Sequence, residues 1–272
     1  MTGTRLACGA GGVLLTLATL GAASGPDGRT ITATSAATTA TAEVPPATAS
    51  APRELPAFAP AYSYPISDAQ WAKITATGTW RPGCPVGRAG LTNVSVPHFG
   101  MDGTYHRGSV TVNLDVAADV IQVFNSLAAQ RFPIRQAVPI EHFGGWDSAS
   151  GRADNTTAFN CRKPSEANAP ADASPHANGR AIDINPRENP WIQPRTGAWE
   201  PDGHWTGSRR TLANEKYGLV VPGGIVHAIF TKLGWSWSGL SRSRDAMHWD
   251  TGYPSMPWRG HRPPSPSHDP EQ

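Results

Sequence analysis

Apolar side chains recur through the middle of the chain with two different periods. Ser109-Val110-Thr111-Val112-Asn113-Leu114 alternates, which predicts a strand with Val110, Val112 and Leu114 on one face. The spacing then becomes helical. Val116, Val120, Val123, Phe124 and Leu127 form one stripe, predicting a helix from Val116 to near Gln130 with Asp115 as its cap. Ser67 or Asp68 opens a shorter helix that reaches Ile74. Pro133 to Ile140 reads as a strand. Ala181-Ile182-Asp183-Ile184-Asn185 reads as another, stopped by Pro186, with Ile182 and Ile184 facing a core and Asp183 and Asn185 sharing the other face. A further helix is expected from Gly223 to Leu233 and a last strand from Met247 to Asp250. Residues 144–173 are polar and rich in turn formers, hence mostly loop. Strands and helices mix without a repeating strand–helix unit. That predicts an α+β fold, a small antiparallel sheet with flanking helices.

Outside this region the periodicity fades. Residues 1–24 read as a secretory signal peptide: Arg5, an apolar run from Val13 to Leu20, then the small residues Gly21-Ala22-Ala23-Ser24. An uncleaved anchor is the competing reading, but the run is short for a membrane span. Residues 25–61 are dominated by Ala, Thr, Ser and Pro, with too few large apolar side chains to offset the entropy of ordering them; a disordered linker is expected. One domain is expected over 62–258, followed by a flexible tail over 259–272. The net charge of +2 falls by one when Arg5 leaves with the leader, which carries no acidic residue. A nearly neutral chain has no electrostatic footprint for nucleic acid. No stable membrane insertion is expected after signal cleavage, and a monomer is favoured.

Three cysteines sharpen the picture. Cys8 lies in the leader, which leaves Cys84 and Cys161 as an even pair for an oxidising compartment. A disulfide is the preferred reading. Two separate buried thiols, or ligation of a metal, are the alternatives, and no CxxC spacing favours the last.

The chemistry concentrates in two places. Ser174-Pro175-His176-Ala177-Asn178-Gly179-Arg180-Ala181-Ile182-Asp183 sets an imidazole and a carboxylate seven residues apart across a glycine. Gly179 and the β-branched Ile182 and Ile184 disfavour a continuous helix, so a turn at Gly179 would fold His176 back toward the strand bearing Asp183. Asp245-Ala246-Met247-His248-Trp249 adds a second imidazole and a spare carboxylate. Two imidazoles and one carboxylate suit a zinc ion with an open position. A buried Asp that satisfies turn amides and a packed His is the competing reading of the first pair. If Asp245 lies in the turn before the last strand it can serve as general base; Asp250, on the same strand face as His248, competes for that task.

The pattern SxHxxGxAxD, with a distant acid three residues before a His-aromatic pair, resembles the zinc D-Ala-D-Ala carboxypeptidase and L-alanyl-D-glutamate peptidase family (peptidase family M15, the VanY-like group). Ser174, His176, Gly179, Ala181, Asp183, Asp245, His248 and Trp249 carry the match. Gly83-Cys84-Pro85-Val86-Gly87, Arg131-Phe132-Pro133-Ile134 and Asp154–Arg162 resemble a secreted actinobacterial branch. The resemblance implies a hedgehog/DD-peptidase-like fold and one Zn2+ ion held by His176, Asp183 and His248. It further implies Asp245 as catalytic base, Arg162 as stabiliser of the oxyanion, and a substrate- or ligand-shell contact from Ser174. A Cys84–Cys161 bridge would pin the backbone next to Arg162. The implied activity is hydrolysis of peptidoglycan stem peptides by a secreted, wall-associated enzyme, at D-Ala-D-Ala or at L-Ala-D-Glu. A non-catalytic, zinc-dependent cell-wall-binding module on the same fold is the second reading. It is disfavoured by Asp245 and Arg162, which a mere binder does not need. His204, in a segment that echoes Asp245–Trp249, is expected to be a loop histidine, and Trp235 and Trp237 are expected in the core.

Overall fold

The computed structural model describes residues 58–161, 174–194, 196–206, 209–240 and 244–251. The leader, most of the linker, the tail and Arg162 lie outside the described residues. Phe58 to Ala61, at the end of the expected linker, pack on the domain: the Ala61 amide donates to Asn125 Oδ1 at 2.8 Å, and Phe58 meets the Tyr105 ring.

The largest sheet is antiparallel, in the order β1 (Tyr62–Tyr64), β2 (Leu91–Phe99), β3 (Tyr105–Asn113). Helix α1 (Asp68–Ala76) begins as its sequence dictates, with Ser67 Oγ accepting from the Gln70 amide at 3.2 Å. Helix α2 (Ala117–Ala129) lays Val120, Val123, Phe124 and Leu127, all fully buried, on the sheet. Val110 and Val112 meet them, but Leu114 does not. The strand ends at Asn113, whose side chain accepts from the Asp115 amide and opens a 3-10 turn, so Leu114 is left 54% exposed. Asp115 is therefore not the cap of α2; it reaches Arg180 instead, at 2.6 Å.

The expected strand from Pro133 to Ile140 shrinks to β4 (Gln136–Ala137), because Pro139 and Ile140 enter a 3-10 turn. Within the expected loop lie α3 (Asp147–Arg152) and β5 (Asn155–Thr156), and β5 pairs in parallel with β4. The site rests on a second antiparallel sheet in the order β6 (Ala181–Asp183), β10 (His248–Asp250), β9 (Ser236–Trp237). Between β6 and β9 come the hairpin β7 (Trp191–Ile192) and β8 (Trp199–Glu200), and α4 (Ile225–Lys232). Ile182, Ile184 and Trp249 point into the core, where Trp249 stacks on Phe230 and Trp237. Trp235 is buried in the same core, as its sequence context suggested. Asn185 departs from the expected strand face. With φ +42° it leaves β6 and turns its amide to the carbonyls of Pro133 and Gly218.

A smaller apolar cluster of Ile66, Ile74, Leu91, Phe159, Cys161 and Ala177 packs beside α1. The Cys84–Cys161 disulfide forms there, with Cα atoms 6.0 Å apart. The bridge and the turn bearing His176 thus share one packed unit through Ala177. No helix among the described residues is long and apolar enough to cross a membrane.

Candidate metal centre and cleft

Strand pairing brings two of the expected ligands together. Asp183 and His248 are directly opposite in the β6–β10 register, so their side chains share a face while Ile182 and Trp249 share the other. His248 Nδ1 lies 3.2 Å from Asp183 Oδ1. Asp183 is held in place by a two-way backbone pairing with Thr157, at 2.9 and 3.1 Å.

His176 arrives from the turn, not from a helix continuous with β6. It sits in a 3-10 turn (Pro175–Asn178) that ends at Gly179, with φ +66°. A Cβ at Gly179 would lie 2.6 Å from the Asn113 amide nitrogen, which itself donates to the Gly179 carbonyl at 2.9 Å. Only glycine allows both the left-handed backbone and that close approach. Buried Arg180, paired with Asp115, fixes the other side of the turn. His176 Nε2 then lies 3.0 Å from His248 Nδ1 and 3.2 Å from Asp183 Oδ2. One ligand atom from each of the three residues falls within 4.8 Å of the others.

The outer nitrogen of each ring defines its tautomer. His176 Nδ1 donates to the Ala158 carbonyl at 2.6 Å, and His248 Nε2 donates to Asp250 Oδ2 at 3.1 Å. In the neutral rings this leaves lone pairs on His176 Nε2 and His248 Nδ1, both turned toward the Asp183 carboxylate. Three electron-rich atoms so close repel one another unless a cation lies among them. Without a metal the site draws protons onto the imidazoles, which again marks it as a place for positive charge. Burial pulls the His248 imidazole down, but its hydrogen bonds to Asp183 and Asp250 and the charges of Asp183 and Asp245 outweigh it and raise its pKa to about 10. Burial pushes the Asp183 carboxyl up, yet the His176 charge and the bonds to His176 and His248 hold it far below the usual carboxylate range. The donor set fits a divalent metal ion, and two imidazoles with one carboxylate suit zinc.

Asp245 lies in the turn ahead of β10, bridged to Trp191, with its amide donating to Ser238 and its carbonyl accepting from the His248 amide. It lines, with Asp183, a cavity of about 590 Å³ between α3 and the β7–β8 hairpin. Trp146, Arg152, Trp191 and Glu200 also border that cavity. Asp250 has its carboxylate on the far nitrogen of His248 and is not among the described residues that line the cavity. Ser174 stands at the entry of the His176 turn, its carbonyl accepting from the Ala177 amide, and is not among the described residues that line the cavity. Arg187, four residues after Asp183 in the chain, pairs with Asp202 at 3.1 Å. His204 is on a loop against Trp205. A separate depression of about 690 Å³, beside β1 and Leu114, holds none of the candidate residues.

The sequence reading missed the Ala158 carbonyl, which carries no residue-type signal, and the α3 wall, whose sequence lacks apolar periodicity. The pairing of Asp250 with His248 was foreshadowed by their i, i+2 spacing on a strand.

A cleft floored by two imidazoles and a carboxylate, with a further carboxylate beside it, has the donor set and the spare base that metal-assisted hydrolysis needs. Residues 167–251 match the family model described as D-alanyl-D-alanine carboxypeptidase. The matched segment carries His176, Asp183, Asp245 and His248 and is similar to that part of the peptidase family. Searches of curated proteins and of solved structures found no match.

Proposed function

We propose that the chain is a secreted zinc peptidase that removes the terminal D-alanine from peptidoglycan stem peptides. The observation that carries this reading is the convergence of His176 Nε2, Asp183 and His248 Nδ1 beside a cavity that Asp245 also lines. The family description favours the D-Ala-D-Ala bond; cleavage at L-Ala-D-Glu is the other activity of the group it resembles. Zinc, held by His176, Asp183 and His248, would supply Lewis acidity toward the scissile carbonyl and water. Asp245 would accept a proton from the attacking water and return it to the leaving amine. Ala158 and Asp250 would keep both imidazoles in the ligating tautomer. Arg162 would face the developing oxyanion, a role that rests on its place in the sequence pattern beside the bridged Cys161. The disulfide supports an oxidising, extracytoplasmic setting, in keeping with the leader-like N-terminus.

The test is digestion of defined muropeptides with the full zinc-loaded chain, read by mass spectrometry, against Asp245→Asn. Release of single D-alanine by the wild type, lost about a thousandfold or more in the variant while zinc is retained, is expected. Fragments split after L-alanine would move the activity to the internal bond. No hydrolysis by zinc-loaded protein would overturn the catalytic reading in favour of a binding module.

A further inference from the structure

We infer that Ser148 and Arg152, one turn apart on α3, form a carboxylate-binding subsite of the cleft and select substrates with a free carboxylate near the scissile bond. This assignment rests on the peptidase reading of the same site. The two residues are four apart in one helix and so share a face. Both are exposed, and both line the cavity that Asp183 and Asp245 line. Neither side chain makes a hydrogen bond or ion pair with another described residue, so the hydroxyl and the guanidinium are available to a ligand.

The rest of the lining makes this pair distinctive. The other charged side chains bordering the cavity are Asp147, Asp183, Glu200 and Asp245, all acidic. Asp147 is held by Asn160 Nδ2 at 2.7 Å and stays part of the wall. Among the described lining residues Arg152 is therefore the one cation. An anionic group entering this cleft meets repulsion along the wall except at Arg152 and at the metal centre. A guanidinium presents parallel N–H donors that match a carboxylate, and the Ser148 hydroxyl adds a third donor on the same helical face. Gly151, between them, leaves space, since a Cβ there would meet only Pro186 at 3.9 Å.

Two sources offer that chemistry in a peptide stem: the C-terminal carboxylate of the last residue, and the α-carboxylate of a glutamate linked through its side chain. The experiment uses the full zinc-loaded chain and four versions of one stem pentapeptide: both carboxylates free, either one amidated, and both amidated. Steady-state constants and calorimetric binding are measured for wild type, Arg152→Ala, Arg152→Lys and Ser148→Ala. Amidating the recognised carboxylate should raise the wild-type KM and Kd about tenfold or more, and only one of the two amides should do so. Arg152→Ala should show the same loss on the free acid, with kcat within about threefold, and should no longer distinguish acid from amide. Arg152→Lys should recover part of the preference, and Ser148→Ala should weaken it about threefold. Equal acid-to-amide ratios for wild type and Arg152→Ala would overturn the inference. Because binding is read apart from turnover, peptides that bind without being cleaved would sink the peptidase reading and still decide this one.

Discussion

Removing the Asp250 carboxylate should weaken metal binding without touching a ligand. His248 Nε2 donates to Asp250 Oδ2 at 3.1 Å, and that bond places the proton of the neutral ring on Nε2 and aims Nδ1 at Asp183 and His176, where a metal would take it. Asp250→Ala frees the ring to rotate and to adopt the other tautomer, and it removes a negative charge that raises the basicity of the imidazole. Loss of such an outer partner costs about 10–100-fold in metal affinity. The Asp250 side chain is only 18% exposed, so solvent replaces it poorly and the middle of that range, about 30-fold or about 2 kcal/mol, is expected. Asp250→Asn keeps an oxygen acceptor and loses the charge, so its effect should be smaller, about threefold to tenfold. Competition against a chromogenic chelator gives the zinc Kd, and the visible spectrum of the cobalt-substituted protein reports the ligand field. A Kd for Asp250→Ala within twofold of wild type, with an unchanged cobalt spectrum, would refute the tautomer argument.

Other outcomes follow from the packing around the site. Replacing Cys84 and Cys161 by serine should cost at most about 4.5 kcal/mol, the chain-entropy value for their separation of 77 residues, seen as an earlier urea midpoint that reductant produces in the wild type but does not shift further in the variant. Glu188 is pushed up to about 8 by burial and then by its hydrogen bond and charge interaction with Asp154. The native state therefore holds a proton that the unfolded chain gives up near pH 4.5, and stability should decline as pH rises from there to about 8, then level off. Glu188→Gln should flatten that limb, gaining on the order of 1–3 kcal/mol over wild type at pH 9 in denaturant titrations, and an unchanged slope would contradict the buried-acid reading.

Sequence legibility tracked how local each cause is. The start of α1 was readable because the Ser67 cap lies within four residues of the amide it satisfies, and α2 was readable because its buried stripe repeats every turn. The approach of His176 to Asp183 was readable because Gly179, Ile182 and the strand spacing limit how the two can meet. What failed depended on distant partners. Asp115 looks like a cap from its neighbours alone, but Arg180, far along the chain, claims its carboxylate. Asn185 looks like a strand residue, but the carbonyls of Pro133 and Gly218 draw it into a left-handed conformation. Helix α3 has almost no apolar pattern. It is held by side-chain bonds from elsewhere, Asn160 to Asp147 and Asn155 to Ser150, which periodicity does not encode.

Metal stoichiometry of the full chain addresses the convergence of His176, Asp183 and His248 most directly. Zinc titration with elemental analysis should give one ion per chain, and X-ray absorption should show two nitrogen ligands of histidine with oxygen donors. The double variant His176→Ala, His248→Ala should bind none. A folded wild-type chain that takes up no zinc, or a double variant that keeps one equivalent, would contradict the site assigned to these three residues.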